Sequence, residues 1–234
     1  MAVSMISLPL PRIRSDVLSV EQALAYRRSH RSFKDEPLSI NDISQILWAA
    51  YGLSMPIKEF LTCPSAGATY PLELYLVVGT EDVELSDGEF LEPGSYRYLP
   101  KYHALAYVKP GHIKEEVYRA CLSQKWVLQA KANIVIAADY GRTTQYYGER
   151  GIRYVVLEAG HCAQNIYLEA TGLGLGAVAI GAFYDDELGE AVGLREGVQP
   201  IYVVSVGIPR HRYFISENAL QEYLRMKRRR KDHV

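Results

Sequence analysis

Two spacings of apolar residues alternate along this chain. Ile40, Ile43, Ile46, Leu47 and Ala50 recur at intervals of three and four. Ser39 and Asp42 precede them in the relation of a capping box and Gly52 follows, which predicts a helix. Ser19 with Gln22 makes a second box, opening a short helix through Ala23, Leu24 and Tyr26 that ends near the arginines from Arg27. Helical spacing returns over 113–122, Asp185–Val192 and, at greatest length, about 152–170. There Val155, Val156, Ala159, Ala163, Ile166 and Tyr167 form a broad apolar face closed by Gly172, suited to a core or a subunit interface. Strand-like runs lie at 74–78, 96–99, 104–108, 132–138, 175–180 and 201–206. The run at 132–138 is apolar apart from Asn133 and reads as buried on both faces. Residues 81–94, acidic and Gly-rich, read as an exposed excursion. Interleaving of this kind, without an internal repeat or a shift in composition, predicts an α+β fold.

Composition acts mainly by exclusion. With 48% hydrophobic and 23% charged residues and a formal net charge of -1, the chain is neither disordered nor a general nucleic-acid binder. Positive charge is therefore local, at 27–31 and at 225–231, and the latter run reads as a solvated tail. Cys63, Cys121 and Cys162 form no C-x-x-C pair, so neither a disulfide framework nor a zinc knuckle is expected, and a reducing cytoplasm fits. No apolar run reaches the ~18 residues of a membrane span, and the first residues lack the pattern of a signal peptide.

Three arginines fall within Arg27-Arg28-Ser29-His30-Arg31. A guanidinium offers a planar fork of donors matched to phosphate or carboxylate oxygens and does not lose its charge, so the cluster calls for an anion. Alternatively it is a solvated helix end. Gly172-Leu173-Gly174-Leu175-Gly176 follows a helix and enters a strand, the reverse of a dinucleotide fingerprint, and reads as helix termination and close packing. Walker, nucleophile-elbow and His-Glu-x-x-His motifs are missing from the sequence. His161 and Cys162, adjacent on a helix, diverge and make no metal pair. Cys63 has no activating partner that spacing can name.

The order of three segments is more specific than any one of them. The arginine cluster, the proline-bracketed run Cys63-Pro64-Ser65-Ala66-Gly67-Ala68-Thr69-Tyr70-Pro71, and Val206-Gly207-Ile208-Pro209-Arg210-His211-Arg212 together resemble the nitroreductase superfamily of FMN-dependent oxidoreductases. The likeness is strongest to the SagB-type dehydrogenase branch, through 64–71, Tyr147-Gly148-Glu149-Arg150-Gly151-Ile152-Arg153-Tyr154 and Glu158-Ala159-Gly160-His161-Cys162-Ala163-Gln164-Asn165. The resemblance implies a three-layer sandwich, a central and mainly antiparallel sheet flanked by helices, in an intertwined homodimer with FMN at the interface. One FMN-binding domain would span 1–234, with an N-terminal extension over 1–17 and a C-terminal helix and basic tail over 213–234.

The same resemblance assigns Arg27, Arg28, Ser29 and Arg31 to the FMN phosphate and pyrimidine edge, with Arg210 or Arg212 closing the other side. Pro64, Ser65, Ala66, Gly67 and Ala68, and again Ile180, Gly181 and Ala182, would bring backbone close to the ring. It implies hydride transfer through flavin N5, with NAD(P)H as donor and small electrophiles of nitroaromatic or quinone type as acceptors. A second enzymatic reading is oxidation of a peptide azoline or related substrate. That branch typically carries Lys-Tyr where this chain has Tyr146-Tyr147. Tyr147 keeps the proton-accepting position, but a phenol at Tyr146 replaces a tuned lysine. A third reading is a flavin-binding or scaffold protein without turnover. Residues 55–62 and 142–150 are the candidate substrate-facing segments, as variable loops often are.

Overall fold

The computed structural model describes residues 5–86 and 88–231; residues 1–4 of the expected 1–17 extension and 232–234 of the expected C-terminal tail lie outside them. The strands are β1 (Met5–Ser7), β2 (Leu38–Ser39), β3 (Leu53–Met55), β4 (Phe60–Leu61), β5 (Leu72–Val78), β6 (Val83–Ser86), β7 (Glu89–Phe90), β8 (Gly94–Leu99), β9 (Ala104–Pro110), β10 (Ala132–Asp139), β11 (Gly176–Ile180) and β12 (Val198–Gly207). The helices are α1 (Val20–Tyr26), α2 (Ile40–Tyr51), α3 (Lys114–Ala120), α4 (Trp126–Gln129), α5 (Gly141–Tyr147), α6 (Arg150–Gly172), α7 (Asp185–Val192) and α8 (Glu217–Lys231). Seven strands form one sheet in the order β1-β9-β8-β5-β10-β12-β11. Every neighbouring pair in it is antiparallel.

Side-chain alternation divides the core across this sheet. Leu72, Leu74, Leu76 and Val78 of β5 join Ile134 and Ile136 of β10 under α2 and α6. Tyr75 and Val77, with Val135 and Ala137, face the opposite layer, where α3 and α7 pack. The result is the expected three-layer α+β arrangement, and β10 is buried on both faces. Each such aliphatic side chain taken out of water contributes about 1.5–3 kcal/mol, more than any exposed ion pair can.

Both capping boxes form, Ser19 with Gln22 at α1 and Ser39 with Asp42 at α2. Three expectations need correction. Val156 does not join the buried face of α6 but is 49% exposed, because one residue's step turns the helix by 100° away from Val155. The 81–94 stretch is no simple excursion: β2 pairs with β6 and β6 with β7, and Val83 and Leu91 are buried. Asp82 is buried there too, taking the Gly79 N–H at 2.7 Å and Lys114 at 2.6 Å. The basic run 225–231 belongs to helix α8 and is not a tail beyond it, although its basic side chains over 225–229 are exposed as expected. No described helix is long and apolar enough to cross a membrane.

Candidate active site

The arginine segment leaves α1 in extended form and runs beside β11, the edge strand. Ser29 makes a bridge with Ala177, and the His30 N–H donates to the Ala177 carbonyl at 2.9 Å. The chain end comes back alongside. Phe33 bridges Pro209, Lys34 N–H donates to the Ile208 carbonyl at 2.8 Å, and Arg210 N–H to that of Ser32 at 3.2 Å. Two of the three sequence segments therefore meet through main-chain bonds.

Their side chains separate into different surroundings. The Tyr167 hydroxyl of α6 accepts the Ala179 N–H at 2.7 Å, which leaves its proton for Ser29 Oγ at 3.1 Å. The Arg27 guanidinium lies over the Tyr167 ring at 5.2 Å and that of Arg31 over Trp126 at 5.5 Å. Arg28 turns elsewhere: it stacks at 3.7 Å on Tyr213 and donates to the carbonyls of Ala25 and Arg27 at 3.1 and 2.6 Å. Its fork is thus partly occupied by the chain itself. Arg212 packs over Gly174, and the His30 ring covers Gly176, where an added Cβ would come within 2.9 Å of it. Burial first, then the charges of Arg27 and Arg28, lower the pKa of His30 from its ordinary value. Among the described residues no carboxylate lies within 4.0 Å of Arg27, Arg28, Arg31, Arg210 or Arg212.

The third segment, 63–71, docks elsewhere on α6. Gly67, Ala68 and Tyr70 all have positive φ (60, 52 and 46°), an arrangement held from both sides. Thr69 Oγ1 donates to the Ala66 carbonyl at 3.0 Å and so accepts from Thr143 of α5 at 2.8 Å. Ser65 Oγ takes the Tyr70 N–H at 2.9 Å. Beneath the loop lies Glu158, 2% exposed, which receives the Tyr51 hydroxyl at 2.7 Å. Burial raises its pKa, while hydrogen bonds from Tyr51 and Ser65 act against the rise. Cys63 donates its thiol to the Glu158 main-chain carbonyl at 3.5 Å, and burial pushes that thiol up to about 12, which removes it as a nucleophile.

Tyr147 comes to this loop: a Cβ added at Gly67 would stand 2.5 Å from its hydroxyl. Tyr146 instead points outward, 71% exposed. At the other end of β11, Ile180 is buried, while Gly181 and Ala182 are exposed, the Ala182 carbonyl taking Gln124 at 3.2 Å. A methyl at Gly181 would meet Tyr202 only at 3.6 Å, leaving that backbone approachable. His161 is exposed and Cys162 buried, so they do diverge, and no described group of His, Cys, Asp and Glu could hold a metal.

Within one chain, then, the arginine edge docks on α6 at Tyr167 and the loop at Glu158, nine residues or about 13 Å apart along the axis. Sequence reasoning missed Glu158 and the Tyr167 hydroxyl as site-building groups. A signal existed: Glu158 shares the helical spacing of Val155 and Cys162, so an acid was bound to face the core.

A model of the nitroreductase family matches residues 24–208, and the chain belongs to that family of oxidoreductases. It is 43% identical over 190 residues to protein MJ1384 of Methanocaldococcus jannaschii, across 81% of this chain and 91% of that one. A crystal structure from Ralstonia eutropha superposes with a TM-score of 0.75 at 26% identity, covering 88% of this chain and 90% of the other. Each of those two carries the name "putative nitroreductase". The NADPH:FMN oxidoreductase of Vibrio harveyi, solved with NAD+, shares the fold at a TM-score of 0.59 and 18% identity, covering 84% of this chain and 71% of the other.

Proposed function

We propose that this oxidoreductase works with FMN, taking electrons from NAD(P)H and passing them to small electrophiles of the nitroaromatic or quinone type. The observation that carries the reading is the arginine edge, where two arginine-bearing segments are held side by side by backbone bonds and their guanidiniums have no carboxylate within 4.0 Å among the described residues. The donor set fits a phosphomonoester, whose dianion takes paired N–H bonds. Arg27, Ser29 and Arg31 would hold that phosphate, with Arg210 and Arg212 entering from the returning chain. Arg28, stacked on Tyr213, would support the segment more than the ligand.

When bound, the flavin supplies hydride chemistry at N5. The chain's own part is to orient and shield. Pro64, Ser65, Ala66, Gly67 and Ala68 offer a short-side-chained backbone, and Gly181 and Ala182 another. Tyr147, seated against Gly67, is placed to hold or pass a proton beside the loop; Tyr146, facing outward, is not. The distance along α6 between loop and arginine edge favours a homodimer in which one copy's loop completes the partner's edge. Ile152, Val156 and Leu157, half-exposed on the outer face of α6, offer the apolar surface for it. Residence in the cytoplasm accords with three free, buried cysteines.

The seat of Tyr147 also favours a second reading, substrate oxidation of the azoline-dehydrogenase kind, in which that phenol accepts the proton. Anaerobic addition of NADH or NADPH to the FMN-loaded protein separates the two. Rapid bleaching of the flavin absorbance is expected; no bleaching with either nucleotide would sink the reductase reading.

A further inference from the structure

A cavity of about 420 Å³ borders Tyr70 and Arg142. Its charged wall is built around Glu73 of β5. Arg195 Nη2 donates to Glu73 Oε1 at 2.8 Å and to Asp139 at 3.0 Å, and Arg142 Nη2 reaches the same Oε1 at 2.5 Å. The Tyr75 hydroxyl donates to the other oxygen, Oε2, at 2.9 Å. Arg97 of β8 comes third: its Nη1 stands 3.7 Å from an oxygen that Tyr75 already serves. Two carboxylates thus face three guanidiniums, and the surplus charge rests on Arg97, beyond hydrogen-bond distance of any described carboxylate. Lys101 and Glu59 at the rim pair with each other at 2.5 Å and cancel.

The rest of the wall is apolar or aromatic, with Leu61, Tyr98 and Leu99. The volume falls in the range of small-molecule sites, about 300–1,000 Å³. Both segments marked in the sequence as substrate-facing arrive here, 55–62 through Glu59 and Leu61 and 142–150 through Arg142. We propose that this cavity binds a small organic carboxylate with a flat apolar body, its anionic end on Arg97 and its body against Leu61 and Leu99. An occupant also touches the supports of the 63–71 loop, since Arg142 Nη1 donates to the Tyr70 carbonyl at 3.2 Å.

The site does not require a bound flavin, and its test is separable from the flavin reading. Calorimetric titration of the purified protein with benzoate should show one saturable site per chain, with neutral benzamide at least about tenfold weaker. Arg97→Gln should weaken benzoate by a similar factor. The titration repeated with saturating FMN should give the same affinity. Undiminished binding to Arg97→Gln, no saturable binding, or loss of binding when FMN is added would overturn the assignment. On the unmodified protein, benzoate should slow phenylglyoxal labelling of Arg97, read by peptide mass; an unchanged labelling rate would overturn it equally, whether or not the variant folds.

Discussion

The molecule carries two arginine clusters that differ in what answers their charge. Around Glu73 and Asp139, the guanidiniums of Arg142 and Arg195 are bound to internal carboxylates. Along the β11 edge, Arg27, Arg31, Arg210 and Arg212 have no such partner among the described residues, and the two flanking segments hold one another by backbone bonds. The first cluster closes on itself and serves the fold, apart from the remainder at Arg97. The second is positioned by groups other than its own charges, which leaves the charges for a ligand. Residue type alone does not distinguish these roles; the presence of an internal counter-ion does.

The contrast breaks most visibly at Glu73. Replacement by alanine removes the buried carboxylate that the half-exposed guanidiniums of Arg142 and Arg195 share and should cost about 2–3 kcal/mol in urea unfolding; a loss below about 1 kcal/mol would mean that the cluster is not a structural unit. The open cluster should behave in the opposite way. Arg27→Ala and Arg31→Ala should each weaken FMN binding about ten- to a hundredfold, while unfolding free energy moves by no more than about 0.5 kcal/mol. A large stability loss without an affinity change would reverse the assignment.

How far this contrast could be read from the sequence depends on how local each signal is. The helix from Ile40 was legible because its cap, spacing and stop lie close together, from Ser39 to Gly52, and β10 because its run is apolar apart from Asn133 and the terminal Asp139. The arginine cluster at 27–31 was legible as a local concentration of positive charge because its cations are adjacent in sequence. The Glu73 cluster was not, since positions 73, 97, 139, 142 and 195 come from three strands, a helix and a loop that only the fold brings together. The same holds for Glu158, whose partners Tyr51 and Ser65 are about a hundred residues away. The inward side of 81–94 was hidden because its pairing partner, β2, is only two residues long.

Smaller effects sharpen the account of the loop. Gly67→Ala places a side chain at φ 60°, with its Cβ 2.5 Å from the Tyr147 hydroxyl. It should cost about 1–2 kcal/mol through the left-handed backbone alone and shift Tyr147, seen as altered tyrosine fluorescence and reduced turnover.

Smallest is a pair of opposed pH dependences. Against the effect of burial, hydrogen bonds from Arg195 and Tyr75 and the charges of Arg195 and Arg142 hold Glu73 below the usual carboxylate range. Its contribution is present above about pH 4.5 and lost as pH falls. Glu158 is raised by burial, so its contribution is full below about pH 4.5 and lost as pH rises through its folded value. Urea unfolding at several pH values should show Glu73→Gln removing the acid-side slope and Glu158→Gln the slope of opposite sign.

The central claim is that the open arginine edge holds the phosphate of FMN, and comparative fluorescence titration with FMN and with riboflavin, which lacks that phosphate, tests it most directly. FMN should bind at least about a hundredfold more tightly than riboflavin, and the preference should collapse in the Arg27→Ala, Arg31→Ala double variant. Equal affinity for the two flavins, or an undiminished preference in the double variant, would contradict it.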